Sequence, residues 1–317
     1  MRRLEVIIRF FLALASTVVL FMGGISAPFA AIILLPLVAQ PVLGFGLRYG
    51  TAWGIGVLLV APLLFFVFAG EELALLYGVL ALMAALLFGL LGRLRSIEFL
   101  VTGVAAALFA ATGALLLYLF GSWTAMVDDF RESLNHQFMS ALRIHEKLGF
   151  PSDGLDLFKE RAPQLIDMTL RLLPALIFMS LVFVVLVNVL LLCRRFPERR
   201  AHWLAVENMR EWKGPESLVW ALIVCGFALF IPGMEFAQLL AINLLVILGA
   251  CYFAQGLAVV AYFFHKNNVP RFLRGLTYIL IVFQQIFTLL VAGLGLIDLW
   301  GDFRRLEKNN LTPSQAA

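Results

Sequence analysis

The feature that most constrains this chain is a series of apolar runs, each close to the length that crosses a bilayer. A membrane-spanning α-helix needs about 20 mostly apolar residues. Nine candidate segments meet or approach this length: 6–24, 28–47, 51–70, 73–92, 99–121, 170–193, 217–234, 237–264 and 275–299. They predict an all-α protein, a polytopic transmembrane helix bundle of eight or nine spans.

Two of these segments carry helix breakers. Segment 28–47 contains Pro28, Pro36 and Pro41, so we expect it to be broken or re-entrant. Segment 217–234 is short and ends at Pro232-Gly233. We expect the first segment to remain as a span, because the residues around Ala27 fit a signal-peptide cleavage site poorly.

Composition excludes several classes of protein. Hydrophobic residues make up 62% of the 317 residues and charged residues 14%, whereas charged residues are about 25% of an ordinary soluble domain. A soluble enzyme, a nucleic-acid-binding module and a disordered protein are therefore excluded. The net charge of +4 is spread over short loops between the apolar runs, which is typical of membrane topology and not of nucleic-acid binding.

The basic clusters predict the orientation in a bacterial cytoplasmic (inner) membrane. Under a nine-span count they fall on one side, the cytoplasm: Arg2-Arg3, Arg48, Arg93 and Arg95, 194–213, and Lys266 with Arg271 and Arg274. The opposite, extracytoplasmic side receives Glu71-Glu72, the long segment 122–169 and Glu235. It also receives three basic residues near the C-terminus, Arg304, Arg305 and Lys308. Either one weak segment does not cross the membrane, or the C-terminus is an exception to the rule that basic residues lie in the cytoplasm.

Two polar segments divide the chain into predicted parts. The N-terminal spans occupy residues 1–121, and an extracytoplasmic helical insert follows at 122–169. In this insert Phe130, Leu134 and Phe138 share one face of an amphipathic helix, which is broken near 150–154. The C-terminal spans occupy residues 170–305 and include a cytoplasmic interfacial helix near 197–213 with Trp203 and Trp212. The two tryptophans, together with Phe130, Leu134 and Phe138, are the predicted interface residues. The final segment, 306–317, is a polar tail.

Motifs for catalysis are absent from the sequence. It contains no phosphate-binding loop, no H-E-x-x-H and no G-x-S-x-G. The four histidines, His136, His145, His202 and His265, are scattered, so we expect no metal site, no cofactor and no enzyme. Asp298 lies near the end of a span, where we expect it to reach head groups or water.

Uncharged polar side chains occur within the spans, and five amides among them are the candidate site residues. They are Asn188, Asn243, Gln255, Gln284 and Gln285. An unpaired amide in lipid is costly, so each should face protein, water or a ligand. Two interpretations stay open: hydrogen bonds between helices, or the lining of a ligand cavity on which Asn188, Gln255 and one of Gln284 and Gln285 converge.

Three stretches carry a resemblance to a known family. They are Leu173-Pro174 followed by Asn188 and Arg194-Arg195, Tyr252 to Val259 leading to His265-Lys266, and Gly295 to Arg305. With these the chain resembles the YybS-like family of bacterial membrane proteins, which has no established function. Pro36 and Leu47-Arg48-Tyr49-Gly50 are also distantly similar to a Gly-rich bend in the S components of energy-coupling-factor transporters.

The resemblance implies a function for a chain without its own nucleotide site. It implies a transporter-like subunit with an S-component-like core in 1–121, which would bind a small or amphipathic ligand and work with an ATPase and a coupling membrane subunit. The alternative is a non-transporting scaffold or assembly factor of the cell envelope, with 122–169 and 194–216 holding partners. Beyond these proteins, the expected partner is the lipid bilayer.

Overall fold

A computed structural model describes residues 2–94, 96–147, 155–204, 209–301 and 303–304. The chain forms two compact units, Met1–Ala205 and Val206–Ala317. Secondary structure in the described ranges is helical apart from an isolated bridge between Leu91 and Leu94. The predicted break at 150–154 and the predicted tail at 306–317 lie outside these ranges, and the predicted boundaries at 121/122 and 169/170 stay predictions.

The first unit contains nine helices in its described part. They are α1 Arg2–Ser26, α2 Pro28–Leu37, α3 Gln40–Tyr49, α4 Thr51–Ala69, α5 Glu71–Leu90, α6 Ile97–Phe120, α7 Trp123–Lys147, α8 Leu155–Arg195 and α9 Pro197–Trp203. Gly50 and Gly70 join α3, α4 and α5 with positive φ angles of 120° and 94°. Glycine suits both positions because other L-residues seldom adopt positive φ.

The second unit contains four helices in its described part. They are α10 Leu218–Ala228, α11 Glu235–Lys266, α12 Arg271–Phe283 and α13 Gln285–Gly301, preceded by a 3₁₀ turn at Met209–Glu211. Helices α11 and α13 touch backbone to backbone. A Cβ on Gly256 would overlap the Val291 carbonyl oxygen, and a Cβ on Gly295 would overlap the Tyr252 carbonyl oxygen. This pairing of 256 with 291 and 252 with 295 makes the two helices antiparallel.

In the part of the chain that the structure describes, seven helical segments are long and apolar enough to cross a membrane, or eight if a bent pair counts as one span. The polytopic helical bundle is thereby confirmed. Segment 217–234 forms only the 11-residue α10, about 16 Å long, against a hydrocarbon core of about 30 Å. Segment 275–299 is not one straight helix, because α12 and α13 meet at an angle of 102°.

The proline-rich segment 28–47 is broken as predicted. Helix α2 ends at Leu37 just after Pro36, and α3 begins at Gln40 with Pro41 in its first turn. A proline is tolerated in the first turn of a helix and disrupts its interior. The two short helices nevertheless follow one another as a single candidate span, Phe29–Tyr49.

The polar insert forms a helical hairpin. Helix α7 packs against α6 and against α8, and Arg131 on α7 pairs with Asp167 on α8 at 3.0 Å. The 41 residues of α8 extend about 60 Å, about twice the hydrocarbon thickness. The helix is therefore longer than one span requires, and its polar beginning packs with α7.

Candidate functional site

A lateral groove of about 740 Å³ lies among α4, α5 and α6 of the first unit. Its walls are apolar and include Pro62, Phe66, Leu75, Val79, Leu82 and Leu115. Ala74, Gly78 and Ala111 also line it, and a Cβ on Gly78 would meet nothing within 4 Å. The groove exists because small residues stand where larger side chains would fill the space between the helices.

Two polar side chains mark one end of the groove. Tyr118 lies near the end of α6, Glu71 begins α5, and the Tyr118 hydroxyl donates a hydrogen bond to Glu71 Oε1 at 3.1 Å. Consecutive antiparallel helices bring these two ends together. A carboxylate in the first turn of a helix is also stabilised by the helix dipole. The groove thus offers apolar walls with an acidic, hydrogen-bonding end.

Asn188 is fully buried in the first unit. Its Nδ2 donates to the Pro36 carbonyl oxygen at 2.8 Å and to the Val184 carbonyl oxygen at 2.8 Å. Gln40 Nε2 donates to Asn188 Oδ1 at 2.8 Å. Asn188 therefore bridges the break between α2 and α3, where a helix end leaves carbonyl groups without intrahelical donors.

Gln255 belongs to a buried network in the second unit. Its Oε1 accepts a hydrogen bond from the Gly214 backbone N–H at 3.3 Å, and its Nε2 donates to Asp298 Oδ2 at 3.4 Å. Arg304 Nη2 donates to the same carboxylate oxygen at 2.7 Å. Arg304 Nη1 donates to the carbonyl oxygens of Arg210 and Trp212 at 2.8 and 2.9 Å.

The expectation that Asp298 reaches head groups or water is wrong. Asp298 is 2% exposed and Arg304 1%, and together they form an ion pair enclosed by protein. The physical reason is that α13 ends at Gly301, so Arg304 folds back onto the last turn of the helix. An acid and a base six residues apart around a glycine are a sequence signal for this pair, although a weak one.

The remaining amides lie in other settings. Asn243 donates to the Leu239 carbonyl of its own helix. Gln284 stands at the break between α12 and α13, and both it and Gln285 are exposed. Asn188 and Gln255 belong to different units, and each has protein partners. Their ligand-lining role, including the convergence on a shared cavity, stays a prediction.

The predicted interface residues are partly or fully packed within their own units. Phe130, Leu134 and Phe138 are half-buried on α7, and the Phe130 ring lies 6.0 Å from that of Phe120. Trp203 is 4% exposed and contacts Phe196 with ring centroids 6.1 Å apart. Trp212 is half-buried. Their role in partner binding stays a prediction.

The described ranges hold no group of three His, Cys, Asp or Glu side chains placed to bind a metal ion.

Comparison with known proteins identifies a family for the chain. No curated protein and no solved structure shows a significant similarity to the chain. A family model described as Predicted membrane protein (DUF2232) matches residues 15–299, which is most of the sequence. The chain therefore belongs to this family of predicted membrane proteins.

Proposed function

We propose that the protein is a transporter-like subunit of the bacterial inner membrane that binds an amphipathic ligand in the groove among α4, α5 and α6. The observation that carries this function is the groove itself, about 740 Å³ with apolar walls and the hydrogen-bonded Glu71 and Tyr118 at one end. An alkyl chain fits the walls, and a polar head group fits the end. The resemblance of Pro36 and 47–50 to S components supports a ligand-binding role in the same unit.

The head group supplies most of the selectivity. An alkyl chain leaves lipid tails to enter the groove, and lipid tails are as apolar as leucine side chains, so this transfer contributes little free energy. Glu71 and Tyr118 instead offer a negative charge and a hydroxyl. An ammonium head group carries the opposite charge and donates hydrogen bonds, and a hydroxyl head group also donates a hydrogen bond. Both should therefore bind this end better than an anionic phosphate head group.

Movement of the ligand requires energy from elsewhere. The sequence has no phosphate-binding loop, so we assign ATP hydrolysis to a separate ATPase, joined through a coupling membrane subunit. The chain itself is assigned no enzymatic activity. Co-purification of an ATPase with the full chain from mild detergent is the expected result.

Filling the groove tests ligand binding directly. Gly78→Leu places a side chain in open space within the groove, so it should abolish retention of a co-purifying amphiphile without a clash. Gly89→Leu is the matched control, because Gly89 lies on the same helix, also faces open space and does not line the groove. Native mass spectrometry of both variants gives the comparison. Equal retention of bound amphiphile in Gly78→Leu and Gly89→Leu would contradict the assignment.

The acidic end has its own test. Glu71→Gln should reduce the preference for ammonium over phosphate head groups, whereas Glu72→Gln should leave it unchanged, since Glu72 does not line the groove. The measurement is competition between dodecylamine and dodecyl phosphate for the purified chain. An unchanged preference in Glu71→Gln would show that the carboxylate does not select the head group, and it would not bear on ligand binding in the groove.

The scaffold function is the second candidate, and the α7–α8 hairpin favours it. The hairpin presents the exposed apolar side chains of Trp123, Met139 and Ile144 on segments that are otherwise polar. Exposed apolar groups outside the bilayer are typical of protein interfaces. Co-purification of envelope or division proteins that depends on Ile144, with no ATPase, would favour this function over transport.

A further inference from the structure

We propose that α12 lies along the membrane surface and that its basic beginning binds the head groups of anionic phospholipids. The helix follows α11, the long apolar helix of the second unit, through a short turn at 267–270. Three observations carry the proposal: the direction of α12, the exposed face of α12 and the charge around its first turn.

The direction of α12 follows from the packing of α13. Helix α13 runs antiparallel to α11, with the backbones in contact at Gly256 and Gly295. Helix α12 meets α13 at 102°, so it lies nearly perpendicular to α13 and therefore to α11. Because α11 is a candidate membrane span, a helix perpendicular to it runs in the plane of the membrane.

One face of α12 is apolar and uncovered within the unit. Phe272, Leu273, Leu276, Ile279, Leu280 and Phe283 are between 44% and 80% exposed. Their spacing of three and four residues places them on one side of the helix. The opposite side packs on the protein, where the Tyr278 ring lies 5.7 Å from that of Phe264 and Ile281 is 4% exposed. An apolar face of this size on an in-plane helix fits the boundary between head groups and acyl chains.

The charge around the first turn selects the lipid. Lys266 and Arg271 are exposed, and Arg274 lies one turn further along. The sequence has no Asp or Glu between Glu235 and Asp298, so these cations stand without neighbouring acids along the chain. Basic residues beside an interfacial helix attract the phosphates of anionic lipids. The occupant of this surface is therefore a negatively charged bilayer.

The depth of labelled positions tests the orientation. Nitroxide labels at Phe272→Cys, Ile279→Cys and Phe283→Cys, in a chain without its three natural cysteines, report depth in vesicles by oxygen and nickel accessibility. A helix along the surface should give the same depth at all three positions. A helix that crosses the bilayer should give a depth difference of about 16 Å between the first and last, and that result would overturn the proposal.

Lipid composition tests the charge. Binding of phosphatidylglycerol to the full chain, measured by native mass spectrometry from vesicles of phosphatidylcholine with and without phosphatidylglycerol, should weaken about fivefold in Arg271→Gln. Arg143→Gln is the control, since Arg143 is an exposed arginine on the α7–α8 hairpin. Equal phosphatidylglycerol binding by both variants and the natural chain would overturn the head-group assignment.

Discussion

Replacement of both partners of the Asp298–Arg304 pair should destabilise the second unit by much less than the sum of the two single replacements. The two side chains are 2% and 1% exposed, and Arg304 Nη2 lies 2.7 Å from Asp298 Oδ2. A buried charge that loses its partner costs about 3–5 kcal/mol, whereas replacement of both partners by uncharged groups is often close to neutral. Asp298→Asn and Arg304→Met should each approach the single-partner cost.

The hydrogen bonds of Arg304 predict which single variant is worse. Asp298→Asn breaks one ion pair, but Arg304→Met also removes the donors to the carbonyl oxygens of Arg210 and Trp212. Both hydrogen bonds are partly buried, and a buried carbonyl left without a donor costs about 1–3 kcal/mol. Arg304→Met should therefore be the more destabilising by about 2 kcal/mol or more.

The assay is a double-mutant cycle of unfolding in mixed detergent micelles. The coupling energy between Asp298→Asn and Arg304→Met should be at least about 2 kcal/mol, within the range for residues in one network. Asp167→Asn is the control, because Asp167 pairs with Arg131 at 3.0 Å but both side chains are more than half exposed. That control should cost at most about 1 kcal/mol. Additive single variants, or singles no worse than the control, would refute the reasoning.

Three further predictions follow from individual positions. Gly256→Ala should destabilise the protein by about 3 kcal/mol, since its Cβ would meet the backbone of α13. Gly249→Ala, on the same helix in open space, should stabilise it by about 0.5–1 kcal/mol. Unfolding temperatures that shift in the same direction in both variants would contradict this. Asn188→Ala should cost about 1–3 kcal/mol in the same assay, because the Pro36 carbonyl loses its donor; a neutral effect would show that the bridge contributes nothing. Ser133→Cys should react with an impermeant thiol reagent in intact cells, and labelling only after lysis would reverse the topology.

Local composition determined the class of fold. The predicted segments 51–70 and 73–92 correspond to α4 and α5, Thr51–Ala69 and Glu71–Leu90. Such segments can be read from sequence because a bilayer admits only backbone that satisfies its own hydrogen bonds, and a long apolar run does so as a helix. The break after Pro36 was also predictable, since the loss of a backbone donor at proline is a local property.

The hydropathy of a segment does not determine the direction of the helix that it forms. Segments 217–234 and 275–299 are strongly apolar, like the candidate spans, yet one forms an 11-residue helix and the other bends by 102°. Beyond the bend, α13 packs against α11 at Gly256 and Gly295. Contacts of this kind join residues that are distant in the sequence, and they leave no periodic signal in either segment.

The candidate sites divide in the same way. The sequence by itself determined that Asn188 and Gln255 would need polar partners, because an unpaired amide in lipid is costly wherever it lies. Only the tertiary structure decided that Asn188 bridges to Pro36 and that Gln255 joins Asp298. The groove likewise depends on three helices leaving space around Gly78. The need for a partner is a property of one residue, whereas the identity of the partner depends on how the chain brings distant residues together.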